Sequence, residues 1–209
     1  MTATGTLYII SAPSGAGKTS LVKALLAQDS QVQVSVSDTT RAMREGEVDG
    51  VDYNFVDMAI FDQQIQDNVY LEHADVFTNK YGTSKTWVDA KLAAGTDVIL
   101  EIDWQGAQQV RELVADAVSI FILPPSQQEL RARLQGRGTD EQSVVDHRME
   151  NSVGEIEHYP EFDFLVFNDE FEIALSELLT IFKAQRLRLL PQQTRNEKIL
   201  AGLIGKSHE

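Results

Sequence analysis

Ser11-Ala12-Pro13-Ser14-Gly15-Ala16-Gly17-Lys18-Thr19 decides how this chain is read. The apolar run Leu7-Tyr8-Ile9-Ile10 precedes it, and Leu21-Val22-Lys23-Ala24-Leu25-Leu26-Ala27 follows with apolar residues at helical spacing. Strand, glycine-rich turn and helix is the context in which G-x-x-x-x-G-K-[ST] acts as a phosphate loop. Small residues let backbone N–H groups curl around phosphate oxygens, and the helix N-terminus adds a partial positive charge. In that motif Lys18 reaches the β- and γ-phosphates and the Thr19 hydroxyl ligates Mg²⁺. Residues 11–20, as far as Ser20, are therefore the expected donor-nucleotide site. Ala12 stands where the motif has its first glycine, and alanine costs little there if its φ is negative. The bland alternative is a turn that binds nothing. Gly17-Lys18-Thr19 opening a helix directly after an apolar strand argues against it.

The loop does not say what receives the phosphate. Of 209 residues, 43% are hydrophobic, enough for a proper core in one large or two small domains. Eighteen Lys and Arg against 32 Asp and Glu give a formal charge of −14, which argues against nucleic-acid and anionic-membrane surfaces. Solubility alone accounts for that charge, yet a protein that handles phosphates should concentrate its cations where they sit. Up to Val110 these are Lys18, Lys23, Arg41, Arg44, Lys80, Lys85 and Lys91. With no cysteine there is no disulfide, thiolate metal site or cysteine nucleophile, in keeping with a reducing cytoplasm. The N-terminus carries no basic region and its apolar run is too short for a signal or a membrane span, so the chain reads as soluble and cytoplasmic. Monomer and homo-oligomer both stay open.

Patterning predicts alternating strands (7–10, 32–36, 53–56, 98–102, 119–123, 164–167) and helices (18–27, 57–67, 86–94, 105–114, 126–134, 141–157, 172–189). The runs Val98-Ile99-Leu100 and Ile120-Phe121-Ile122-Leu123 suit strands buried on both faces. The alternation implies an α/β fold with a mainly parallel sheet flanked by helices and ligands at the carboxyl ends of its strands. Two segments break it. Residues 37–84, polar and glycine-rich and then aromatic, read as an inserted subdomain. Residues 127–157, with Arg131, Arg133, Arg137 and Arg148 and with Gly136 and Gly138 around Arg137, read as a helical lid. The core would comprise about 1–36, 85–126 and 158–190. Ile173, Leu175, Leu178, Leu179, Ile181 and Phe182 would be core packing in the last helix, and 191–209 an exposed tail.

Candidate chemistry clusters in these insertions. Ser35-Val36-Ser37-Asp38-Thr39-Thr40-Arg41-Ala42-Met43-Arg44 sets two arginines three apart in a hydroxyl-rich loop. Their planar forks suit phosphate oxygens, and Tyr53 and Tyr81 would add hydroxyl donors. Glu72 and Asp103 read as carboxylates at strand ends. Glu101 or Asp103 would point toward Mg²⁺ or its waters. A carboxylate also suits guanine, which offers two adjacent donors where adenine has none. A strand-end charge in water is the alternative for Glu72. Trp104 reads as a core or hinge aromatic. The lid arginines, ordinary on a helix surface, gain interest because phosphoryl transfer needs cations around its equatorial oxygens.

With these runs in order the chain resembles the guanylate kinases. Further runs carry the likeness: Arg44-Glu45-Gly46-Glu47, Asp52-Tyr53-Asn54-Phe55, Tyr81-Gly82-Thr83-Ser84, Leu100-Glu101-Ile102-Asp103-Trp104-Gln105-Gly106-Ala107, Arg133-Leu134-Gln135-Gly136-Arg137-Gly138 and Asn168-Asp169. The resemblance covers about residues 7–184. It implies a phosphate-loop NTPase-type sheet with a GMP-binding subdomain and a lid, passing the ATP γ-phosphate to GMP with Mg²⁺. It implies that Arg41, Arg44, Tyr53 and Tyr81 hold the GMP phosphate and that Ser37, Glu72, Thr83 and Asp103 read guanine. Arg137 and Arg148 would close on the transferring phosphate with Lys18 and Arg44, with Arg133 a lesser member of the group. Asn168 and Asp169 would lie near the adenine. Met43, where the family commonly has proline, and Thr78, near a common glycine, depart from the pattern without removing a charged or hydroxyl group. Two other readings remain: a non-catalytic peptide-binding module of the same fold, and a kinase for another phosphorylated acceptor such as a ribose phosphate. The intact Gly17-Lys18-Thr19 speaks against the first, and Glu72 with Ser37 and Thr83 against the second.

Overall fold

A computed structural model describes residues 4–76, 78–136 and 142–205. Five parallel strands form the main sheet: β1 (Leu7–Ser11), β2 (Val32–Val34), β7 (Asp97–Glu101), β8 (Val118–Leu123) and β9 (Phe164–Phe167), in the order β2-β7-β1-β8-β9. β1 and β8 are buried along their whole length, as continuous apolar runs between two helical layers should be. On one face Tyr8, Ile10, Ile99 and Ile120 pack against α1 (Lys18–Gln28) and α7 (Phe171–Arg186). On the other, Ile9, Val98 and Leu100 meet Val88 of α3 (Lys85–Ala93) and Ala107 and Val110 of α4 (Trp104–Leu113). Each such side chain taken from water contributes roughly 1.5–3 kcal/mol.

The segment expected as an insertion carries a second sheet, ordered β4-β3-β6-β5, built from β3 (Asp38–Thr39), β4 (Asn54–Phe55), β5 (Tyr70–Val76) and β6 (Asn79–Ser84). α2 (Met58–Gln66) covers it through Phe61, which stacks on Tyr70 at 4.6 Å. The buried carboxylate of Asp38 accepts from Tyr70 Oη (2.9 Å) and Asn54 Nδ2 (2.8 Å), tying three strands together. β5 and β6 pair antiparallel with Glu72 opposite Thr83. Glu72 is thus buried in mid-strand rather than ending a strand in water. The expected strand 53–56 reduces to the two residues of β4.

α5 (Gln127–Gln135) and α6 (Gln142–Ile156) share a small core of Leu130, Leu134, Val145 and Met149. Arg137 and Gly138 lie outside the described residues. Two further corrections fall in the C-terminal part. Ile173 is 53% exposed because it faces outward from α7, whereas Leu175, Leu178 and Phe182 are buried. The last long helix ends at Arg186, three residues before its expected end. The expected tail then forms α8 (Leu189–Arg195) and α9 (Glu197–Leu203), with no buried residue in either. At the edge of the main sheet where its strands begin, Arg186 donates to Asp97 Oδ2 (2.7 Å) and Asp29 Oδ2 (2.6 Å). Among the described residues no helix is long and apolar enough to cross a membrane.

Candidate active site

β1, β2 and β7 end on one cleft, where ligands of open α/β sheets bind. β1 runs into the glycine-rich loop. Gly15 (φ 93°) and Gly17 (φ 95°) take left-handed backbone, and a Cβ on Gly17 would run into Asn168 Nδ2. Ala12 needs no such freedom: among the described residues the one non-glycine with positive φ is Asn68. The loop is tied down from behind. Ser11 Oγ donates to the carbonyl of Ile102 (2.7 Å), and the buried amide of Asn168 donates to the carbonyl of Ala16 (2.7 Å). Arg133 in turn donates to the carbonyl of Asn168 (3.1 Å). Ala16 is fully buried, while Ser14, Thr19 and Ser20 are exposed at the loop's open side. Asn168 thus braces the loop, and its neighbour Asp169 is exposed on a separate groove beside β9.

Lys18 is drawn from bulk water, which lowers its pKa; Glu101, Asp103 and Glu155 pull it back up. Its Nζ lies 3.4 Å from the carbonyl of Ile102, and Thr19 Oγ1 donates to Glu101 Oε2 at 3.3 Å. A hydroxyl and a carboxylate side by side are the hard oxygen donors that Mg²⁺ prefers, so the residues present fit that ion.

The loop tip already meets α6. Ser14 N donates to Glu155 Oε2 (3.1 Å), Ser152 Oγ to the Ser14 carbonyl (3.4 Å), and Arg148 Nη2 to Ser14 Oγ (3.2 Å). These three residues follow the i, i+4, i+7 stripe of one helix face. Burial pushes the Glu155 carboxyl up, while the Ser14 amide and Lys18 hold it down. No sequence reading marked Glu155. Its contact with Ser14 spans 141 residues of chain, and a lone glutamate on a polar helix gives no local signal.

Across the cleft stand the acceptor-side candidates. Glu72 accepts from Thr83 Oγ1 (2.5 Å), whose oxygen is 3.4 Å from Ser37 Oγ. Burial, and secondarily Asp103, push the Glu72 carboxyl up to about 7 against the lowering bond from Thr83. Asp103 caps α4, accepting from Gly106 N (2.9 Å). Behind that cap Trp104 stacks on His158 at 3.6 Å, just past the end of α6. Arg41 is held in a two-pronged pair by Glu47 (2.7 and 3.0 Å) and lies over the Tyr53 ring, which meets Tyr81 edge-on at 5.8 Å. The backbone N–H of Arg44 donates to the same Glu47 (2.7 Å). Glu47 thereby fixes both arginines of this loop, a role its sequence position alone does not signal.

Two cavities join the halves. One, of about 310 Å³, runs from Ser14 and Lys18 to Ser37, Glu72, Tyr81 and Asp103. The other, of about 700 Å³, is lined by Thr19, Arg41, Arg44, Tyr53 and Tyr81. Lys18 and Thr19 line both. A glycine-rich loop braced under a parallel sheet, facing a second sheet across a shared cleft, defines a phosphate-loop kinase of nucleoside monophosphates. Comparison with known proteins narrows the class. The guanylate kinase family model matches residues 4–185. The guanylate kinase of Hahella chejuensis is 58% identical over 97% of each chain. That of Saccharophagus degradans is 57% identical over 98% of this chain and all of its own. The crystal structure of guanylate kinase from Anaplasma phagocytophilum superposes with a TM-score of 0.79 at 31% identity, over 100% of this chain and 99% of that one. The chain belongs to the guanylate kinase family, whose activity is ATP-dependent phosphorylation of GMP.

Proposed function

We propose that residues 11–20 hold the phosphates of ATP while the face formed by Ser37, Arg41, Arg44, Tyr53, Glu72, Tyr81, Thr83 and Asp103 holds GMP. The observation that carries this reading is that Lys18 and Thr19 line both cavities, so a donor and an acceptor phosphate would meet at one ammonium. Arg41, Arg44 and the two tyrosines take the GMP phosphate. The grip of Glu47 on Arg41 supports this, since a carboxylate and a phosphate fill the same planar fork. Glu72 and Asp103 accept the two guanine donors, and the Ser37 and Thr83 hydroxyls donate to the guanine carbonyl.

The acceptor is already an anion, so alignment and charge neutralisation dominate over base catalysis, and no covalent intermediate is needed. Lys18 and the lid arginines Arg137 and Arg148 surround the transferring group, with Arg133 behind the loop and Asn168 and Asp169 toward the adenine. Thr19 would hold Mg²⁺, with Glu101 beside it. When bound, Mg²⁺ neutralises charge across the β- and γ-phosphates. Closure of the lid and the GMP-binding subdomain keeps water from taking the phosphate. The deoxy form of the acceptor, dGMP, would be used as well. This reading places the chain in the cytoplasm, in purine nucleotide metabolism, recycling GMP to GDP. The test is ADP release across GMP, dGMP, AMP, UMP and ribose phosphates. GMP and dGMP should dominate by about 10⁴-fold, as expected where a polar base is read by hydrogen bonds. Comparable use of AMP, UMP or a ribose phosphate would refute it.

A further inference from the structure

Gly106 sits in the first turn of α4, buried, with no left-handed backbone to explain a glycine there. Helix formation favours alanine over glycine at such a position. Its surroundings give the reason for the missing side chain. A Cβ on Gly106 would lie 2.7 Å from Glu72 Oε2, well inside contact distance, and 3.4 Å from Ile102 Cβ, an ordinary contact. The other oxygen of Glu72 is engaged by Thr83 (2.5 Å), so the carboxylate has one bonded side and one side resting on the glycine. The same Gly106 donates its N–H to Asp103 Oδ1 (2.9 Å). One bare backbone unit thus adjoins both carboxylates assigned to guanine, one on β5 of the second sheet and one at the N-cap of α4 that follows β7 of the main sheet.

We propose that Gly106 is a specificity-positioning residue: its missing side chain is the space in which the Glu72 carboxylate stands, and its N–H fixes Asp103 beside it. The inference rests on the reading that Glu72 accepts from guanine. It requires that an added methyl push Glu72 off line while leaving the donor half of the cleft alone.

A mutant cycle of Gly106→Ala and Glu72→Ala tests it, with GMP and inosine monophosphate (which lacks the exocyclic amine) as acceptors. Gly106→Ala in the wild-type background should lower kcat/KM for GMP about 10²-fold, as an ångström-scale misplacement does. It should act mainly through the GMP KM and shrink the preference for GMP over inosine monophosphate, with the KM for ATP unchanged. In the Glu72→Ala background the same change should cost GMP use nothing further. Melting temperatures add a readout that does not depend on turnover. Gly106→Ala should lower Tm when Glu72 is present. Once the carboxylate is gone it should raise Tm by a few degrees, through helix propensity. An equal loss of GMP use in both backgrounds, or none in the wild type, overturns the proposal while leaving Glu72 as the guanine reader. If Glu72→Ala itself still prefers GMP over inosine monophosphate, the guanine reading falls and the proposal with it.

Discussion

Single side chains in this cleft carry perturbations with consequences that can be measured. Glu72 is pushed up to about 7 by burial. In the proposed site its ionised form is the one that would accept from guanine, so protonation would remove the preference. The kcat/KM for GMP should therefore fall as pH drops below about 7, approaching tenfold per pH unit, and Glu72→Gln should abolish that inflection. A GMP profile flat from pH 8 to pH 5.5 would contradict the role. Lys18 is desolvated by burial, with Glu101, Asp103 and Glu155 favouring its charged form. Lys18→Ala should lower kcat by about 10³-fold with the far-ultraviolet dichroism unchanged, since one preorganised charge is lost at the transferring group. Near-normal turnover would remove Lys18 from the mechanism. At this scale the sequence was informative wherever the chemistry is local. Nine consecutive residues encode the loop because two glycines and a lysine at fixed spacing specify backbone shape directly. Glu72 could be nominated from the donor pattern of guanine, but its burial could not, because that depends on Thr83 and Gly106 arriving from elsewhere.

At the scale of elements, α6 lies across the loop tip with Glu155 accepting from Ser14 N. On the proposed reading, an anion of the protein's own stands at an amide of the donor loop and would have to give way to a triphosphate. Glu155→Ala should therefore tighten ATP binding several-fold in calorimetry, an order consistent with one charge-assisted hydrogen bond. Unchanged or weaker binding would show that Glu155 supports the loop rather than competing for it. Sequence periodicity located α5 and α6 as a helical pair but could not see this docking, which joins residues far apart in the chain. It also missed the β5–β6 hairpin. Tyr70-Leu71-Glu72-His73-Ala74-Asp75 alternates imperfectly because Glu72 occupies a buried position where patterning expects an apolar residue. The main-sheet strands were legible for the opposite reason, since burial on both faces leaves unbroken apolar runs. The helices of the C-terminal segment were read as a tail because nothing in α8 or α9 is buried.

Considered whole, the molecule separates support from chemistry. The end of the main sheet away from the cleft is closed by Arg186 with Asp29 and Asp97, all three side chains no more than 14% exposed. Arg186→Ala would leave two buried carboxylates facing each other and should cost about 3–5 kcal/mol of stability by denaturant titration, with the KM for GMP unaltered. Intact stability would refute the role of that network. On the proposed reading the cleft end holds two anion sites that would be brought together around Lys18. Small-angle scattering should accordingly show compaction with GMP plus a non-hydrolysable ATP analogue, beyond that with either alone. No change would rule out closure. The central claim is that a donor loop common to many kinases becomes a GMP enzyme through the carboxylates across its cleft. The most direct measurement is the ratio of kcat/KM for GMP over AMP in the wild type and in Glu72→Gln. The amide presents a donor where guanine also donates, so the ratio should collapse by several orders of magnitude toward parity, with the KM for ATP unchanged. A Glu72→Gln protein that still strongly preferred GMP would contradict the account.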